Sequence, residues 1–218
     1  MLDVNNDFHT TLRETWLLEL IELEWKHFSA VHNVNGPSSC QSMPQTFALM
    51  RRSQAATWDD ATLESRLGDF RTAEAQSYNL MTEKYARMME YTHPNEYAVF
   101  AASLTPIDAE SRTLIEDIIA INISWQEELA VRYPNISQRG RPLRSSKDKF
   151  GTSFETYLRG ELMTCSLRTI RLWHKHVRSC HENGINLGEV DLTNQVKGYG
   201  YANLEAAELN LKGELCTD

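Results

Sequence analysis

The sequence predicts an all-α fold, a single helical domain of six to eight helices over residues 1–218. Three observations carry that expectation. Apolar residues recur at i, i+3, i+4 and i+7 along most of the chain. Helix-start signals stand ahead of several of those runs. No segment alternates with the period of two that a half-buried strand needs, and only 10 Gly and 6 Pro are present to make the turns of an all-β design. A chain of 218 residues is also long enough to bury one core without disulfide staples.

The elements follow in order. From Thr10 to Val31, the residues Leu12, Trp16, Leu17, Leu20, Ile21, Leu23, Trp25, Phe28 and Val31 keep helical spacing, and Asn35-Gly36-Pro37 signals the turn beyond them. Ser42-x-x-Gln45 reads as a capping box with Pro44 in the first turn, opening a helix through Phe47, Met50 and Gln54 toward Trp58. Asp59 and Asp60 suit the positive end of a third helix dipole, whose pattern runs to Met89 with a break near Ser77. Pro94 ends that pattern and opens a short helix. Asp108 caps another, with Leu114, Ile118, Ile121 and Trp125 on one face, and Tyr133-Pro134 stops it. Gln138 to Gly151 is polar, basic and irregular. Thr152-x-x-Glu155 is a second capping box, predicting one long helix to His181. The last helix, Leu187 to Leu211, is interrupted at Gly198-Tyr199-Gly200.

Charge is unevenly placed. The net −8 divides into −10 over residues 1–137, +7 over 138–178 and −5 over 179–218. A uniformly basic nucleic-acid coat is therefore excluded, while one concentrated basic segment remains for a polyanion. No apolar run approaches the ~18 residues of a membrane span. Met1 to His9 is polar and acidic, unlike a secretory signal, so a reduced, cytoplasmic chain is expected. Cys40, Cys165, Cys180 and Cys216 show no CxxC spacing, and the sequons at Asn122 and Asn135 then carry no meaning. There is no phosphate-binding Gly-rich loop, GxSxG elbow or HExxH motif.

Several constellations carry candidate chemistry. On a helical wheel Arg168, Arg171, Lys175 and Arg178 fall within about 80°, opposite Leu158, Leu162, Cys165, Trp173, Val177 and Cys180. With Arg139, Arg141, Arg144, Lys147 and Lys149, this stripe could follow an RNA backbone, or simply pair with acidic neighbours. On the wheel of one continuous helix, Tyr157 and Glu161 sit at an end of the stripe, with Glu161 available for acid–base work or for holding a cation. Cys40-Gln41, before a capped helix, is a nucleophile position or a small buried residue. Glu24/His27 and Glu90/His93 share the Glu-x-x-His spacing of di-iron bundles. A di-iron helical metalloenzyme and a non-enzymatic helical interaction protein are thus the alternative readings.

Longer stretches are family-like. They are Glu24-Trp25, Cys40-Gln41, Met50-Arg51-x-x-Gln54, Asn79 to Met89, Thr92-x-Pro94-x-Glu96-Tyr97, Gly140-Arg141-Pro142, Thr152 to Leu162, Tyr199-Gly200-Tyr201 and Leu204-Glu205-x-Ala207-Glu208. Across nearly the whole chain the sequence resembles a family long described as a domain of unknown function, whose fungal-type members are arginine-containing cyclodipeptide synthases. Cys165 departs from the aromatic residue which that family carries after Glu161-Leu162-Met163-Thr164.

The resemblance implies that Arg-tRNA and a second aminoacyl-tRNA give a cyclo-Arg-Xaa diketopiperazine, a reaction of secondary metabolism. It needs no metal and no cofactor, because the aminoacyl esters are already activated. On the matched positions, Glu83 and Glu161 are the leading acids, one holding the guanidinium and the other acting as general base. Tyr157, Tyr199 and Tyr201 donate to an oxyanion or relay protons. Cys40 or Ser153 is the acylated nucleophile if the route is covalent. Gln41, Arg51, Gln54, Asn79, Lys84 and Tyr201 line the pocket, and the basic segment binds tRNA.

Overall fold

The computed structural model describes residues 4–32, 36, 38–147 and 152–215. Among the described residues the chain is entirely helical, with no strand. The described residues form eleven α-helices: α1 (Val4–Ser29), α2 (Pro44–Ala55), α3 (Asp60–Ala75), α4 (Leu80–Thr92), α5 (Pro94–Phe100), α6 (Ala109–Arg132), α7 (Pro134–Ser137), α8 (Phe154–Leu162), α9 (Leu167–Glu182), α10 (Leu187–Gly198) and α11 (Leu204–Leu215). Short 3₁₀ turns occupy Ser39–Ser42, Ala101–Ser103 and Ser145–Lys147. No described helix is long and apolar enough to cross a membrane.

The count exceeds six to eight for local reasons. Ser77, at φ +54°, takes a left-handed turn between α3 and α4, and Asn79 caps the new helix by accepting from Thr82 N–H at 2.8 Å. The long helix expected from Thr152 to His181 is two helices. Ser153, not Thr152, caps α8 by accepting from Thr156 N–H at 3.1 Å, and Ser166 caps α9 by accepting from Thr169 N–H at 3.3 Å. Pro134 both ends α6 and starts the one-turn α7, a helix too short to leave a periodic trace.

The start of α2 also differs from expectation. Ser42 does not cap it; its hydroxyl donates to Ser39 C=O at 2.7 Å. The cap geometry lies one turn earlier, where Gln41 Oε1 accepts from Ser38 N–H at 2.9 Å. Gln41 Nε2 then donates to the carbonyls of Phe28 and Val31, fastening this loop to the end of α1.

Helix α6 packs along α9, α3 against α1 and α9, and α4 against α1 and α8. Leu20, Leu63, Leu67, Phe70, Ile115, Ile118, Leu162 and Ile170 meet in the centre with almost no exposed surface. Each large side chain so buried contributes roughly 1.5–3 kcal/mol. Beyond the main core, α6 reaches a second cluster through Leu129 and Tyr133, which pack with Val196, Leu204 and Ala207 of α10 and α11. Helix α10 closes against both α2 and α6, so a space remains between these helices, α4 and α8.

Candidate active site

That space is a cavity of about 890 Å³. Phe28, Phe47, Met81 and Tyr85 form part of its apolar wall, with the Phe28 and Phe47 rings stacked at 4.9 Å. The chain from Ser137 to Leu143 forms another side, tied to the start of α8 by Phe154 N–H donating to Pro142 C=O at 2.7 Å.

One wall holds a cluster of buried ions. Arg51 of α2 donates to Glu24 of α1 at 2.6 and 2.7 Å, and to Glu161 of α8 at 2.9 and 3.1 Å. Its remaining N–H reaches Gln54 Oε1 at 2.6 Å, so all five guanidinium donors are engaged. Glu161 also accepts from Lys84 of α4 at 2.7 Å and from Gln54 at 3.3 Å. Burial alone would raise the Glu161 carboxyl, but Arg51 and Lys84 beside it hold it well below the usual carboxylate range. Burial likewise opposes the charge on Arg51, and Glu161 and Glu24 more than restore it. Two cations balance two anions. The close approach of α4 to α8 behind the Lys84–Glu161 pair depends on Gly160, where a Cβ would lie 2.6 Å from Met88 Cγ.

Tyr157, also of α8, lies between two cations. Lys84 Nζ is 3.4 Å and Arg141 Cζ 4.7 Å from its ring centroid. Cys40 stands exposed at the cavity rim, its Sγ 3.0 Å from Ser38 Oγ.

Another wall belongs to α10. Asp191 lines the cavity, half-buried, and among the described residues accepts one hydrogen bond, from Gln195 Nε2 at 2.9 Å. Burial pushes its carboxyl up to about 6, against lowering by the Gln195 hydrogen bond and by Arg51. Gly188 and Gly198 seat α10. A Cβ on Gly198 would collide with Leu49 of α2, and one on Gly188 would lie 2.9 Å from Gln126 Nε2 of α6.

The residues singled out from sequence therefore separate into groups. Cys40, Arg51, Gln54, Tyr157 and Glu161 line the cavity, and Lys84 joins them through Glu161. Gln41 anchors the loop below Cys40. Glu83 is turned into an ion pair with Arg87, which also donates to Thr105 C=O at 2.8 Å, so Glu83 does not meet Glu161. Asn79 is spent as a helix cap, its Nδ2 donating to His27 C=O at 2.9 Å. Ser153 is fully buried as the α8 cap, outside the cavity lining. Tyr199 is 57% exposed at the end of α10, away from the cavity lining. Tyr201 packs on the second cluster, its hydroxyl 3.0 Å from Asn210 Oδ1.

The basic segment divides too. Arg139 and Arg141 line the cavity mouth. Arg144 pairs with Glu127 at 2.6 Å. On α9, Arg171 is held by Glu110 at 2.6 Å, while Arg178 bonds Asp117 and Glu182 at 3.4 and 3.2 Å. Lys175 and Arg168 are exposed, the latter beside a groove that includes Glu64 and Asp69. Trp173 and Val177 of α9 face the cavity, so this stripe lies on the far side of the helix. Tyr157 and Glu161 belong to a different helix and are not its end. Lys149 and the side chain of Lys147 lie outside the described residues.

The two Glu-x-x-His pairs do not converge. Glu24 is held by Arg51, and His27 accepts from Leu80 N–H at 3.2 Å while its Nε2 lies 2.7 Å from Glu74. His93 caps the end of α4, its Nδ1 2.9 Å from Thr92 Oγ1. Among the described residues no group of three His, Cys, Asp or Glu side chains is placed to hold a metal ion.

Sequence reasoning missed Asp191 and gave Glu24 no ion-pair role. A signal for Asp191 existed. Gly188, Asp191, Gln195 and Gly198 share one face of α10, a stripe of two small and two polar residues where a solvated helix has no use for glycine.

Compared with known proteins, residues 14–209 match the model of a family described as "Protein of unknown function (DUF4125)", and the chain belongs to that family. No curated protein and no solved structure matches it.

Proposed function

We propose that the chain is an aminoacyl-tRNA-dependent cyclodipeptide synthase that joins an arginyl group to a second aminoacyl group. The observation that carries the reading is the cavity itself: about 890 Å³, largely apolar, with a few convergent polar groups and two arginines at its mouth. Small-molecule sites typically have volumes of roughly 300–1,000 Å³. The resemblance of Met50 to Gln54, Asn79 to Met89 and Thr152 to Leu162 to arginine-containing cyclodipeptide synthases supplies the reaction class. Arg51, Gln54, Lys84 and Glu161, all within those stretches, meet at one wall.

In this reading the α-amine of one aminoacyl ester attacks the carbonyl carbon of the other. A C–N bond forms, the C–O bond to the tRNA ribose breaks, and the amine proton passes to the ribose oxygen. Ring closure repeats the step and releases the second tRNA. A free α-amine titrates near 7.7–8.0, so roughly a tenth or more of it is already neutral at pH 7 and the remaining demand is orientation. The locked ion cluster supplies rigid walls. Gln54 and Tyr157 stand at the cavity as donors for a developing oxyanion. Arg139 and Arg141 at the mouth meet the tRNA backbone.

Transfer in this reading is direct. A thiol becomes a nucleophile beside a base or cation, and the described partner of Cys40 Sγ is a neutral hydroxyl. The test is mass spectrometry of the purified protein with amino acids, total tRNA, synthetases and ATP. A ribonuclease-sensitive cyclo-Arg-Xaa mass, retained in Cys40→Ala, is the expected result. Absence of any diketopiperazine from folded protein overturns the synthase, and loss of product in Cys40→Ala overturns direct transfer.

A further inference from the structure

We infer that Asp191 is the counter-ion for a cationic side chain of the cavity's ligand. The charge arrangement around the cavity leads there. In the ion cluster Glu24 and Glu161 are matched by Arg51 and Lys84, and Arg51 has no donor left to give. Asp191 adds one more negative charge to the same cavity. Its partner there is a neutral amide, Gln195, and the neighbouring α6 contributes the neutral Asn122 and Gln126 to the lining. An acidic group partly withdrawn from water without a bonded counter-charge is costly, and among the described residues no cation hydrogen-bonds or ion-pairs with Asp191.

The seating of α10 argues that the position is built rather than incidental. Gly188 and Gly198, on the same helical face as Asp191, let the helix approach α6 and α2 closely enough to present the carboxylate to the cavity. A ligand that brings a positive charge on an otherwise apolar stem satisfies both the carboxylate and the walls. Taking that charge to be a guanidinium rests on the synthase reading; Asp191 itself asks only for a cation.

The test needs no tRNA. Arginine methyl ester and norleucine methyl ester share the α-amine and the ester, and differ in the side-chain cation. Titration calorimetry on the wild-type protein should show the arginine ester binding about tenfold or more tightly. Asp191→Asn should erase that preference while leaving the norleucine ester unchanged. Equal affinity of the two esters for wild type overturns the proposal, as does a preference that survives Asp191→Asn. If the preference depends on Asp191 but no cyclic product forms in the tRNA assay, the synthase reading fails and the cation site stands. If product forms and Asp191→Asn keeps its arginine selectivity, the synthase stands and the cation site falls.

Discussion

Two walls of the cavity carry carboxylates in opposite circumstances. Glu161 is buried under four hydrogen bonds from Arg51, Lys84 and Gln54, with its carboxyl held far below the ordinary range. Asp191 faces the same space with one amide for company and a carboxyl raised to about 6. A carboxylate whose lone pairs are all engaged can neither take a proton nor receive a cation without dismantling its surroundings. One left short of partners can do both. In the proposed reading the comparison gives Glu161 a structural part in the wall and Asp191 the contact with ligand.

The largest effect should come from breaking the saturated side. Glu161→Ala leaves Lys84 buried without its ion pair and Arg51 with Glu24 as its remaining carboxylate, and should cost about 3–5 kcal/mol in denaturant unfolding. A variant that loses activity at unchanged stability would instead restore Glu161 as a chemical group.

Asp191→Asn should do the reverse and stabilise. The folded carboxyl titrates near 6, above its ordinary value of 3.8, so the folded state holds the proton more tightly than the unfolded chain. Wild-type stability from this group is full below pH about 4 and is lost as pH rises through about 6. The charges acting on it are Arg51 of α2 and Glu161 of α8; α6 lines the cavity with neutral amides, and on α11 Glu205 and Glu208 are bonded to Tyr133 and to the start of α7. The variant's advantage should be about 2–3 kcal/mol near pH 8 and vanish near pH 4, measured by unfolding at both. A destabilised variant near pH 8 would mean that the fold does pair Asp191.

Gly198→Ala tests the link between the walls. The added methyl meets Leu49, and overpacking of this kind costs about 1–3 kcal/mol. The variant should lose affinity for arginine methyl ester more than it loses stability, because α10 shifts relative to α2. The smallest stability change belongs to the surface. Arg171→Glu breaks an exposed pair with Glu110 and should cost under about 1 kcal/mol. It should weaken tRNA binding less than Arg141→Glu at the mouth, read from affinities across a salt series.

The fold was largely legible because helix starts are local events. Asp59 and Asp108 each cap a helix by accepting a backbone N–H, where the sequence placed a start. What local pattern could not reveal was the turn at Met163–Ser166, since Leu158, Leu162, Cys165 and Trp173 keep an unbroken apolar rhythm across it. That hidden break separated Glu161 from the α9 stripe. The site was half legible. Arg51, Gln54, Lys84 and Glu161 were named, but their closure on one another is a matter of three helices meeting, and no spacing encodes it. Glu83 seemed equivalent to Glu161 until its i+4 neighbour Arg87 claimed it. Asp191 went unnoticed because an acidic residue in an acidic C-terminal segment looks solvated; only the glycines on its helix face marked that face as packed.

The most direct measurement is product analysis with all twenty amino acids, total tRNA and synthetases, run on wild type and Asp191→Asn side by side. The account predicts a ribonuclease-sensitive cyclo-Arg-Xaa from wild type and loss of the arginine-containing product from the equally folded variant. No diketopiperazine from wild type, or undiminished cyclo-Arg-Xaa from Asp191→Asn, would contradict it.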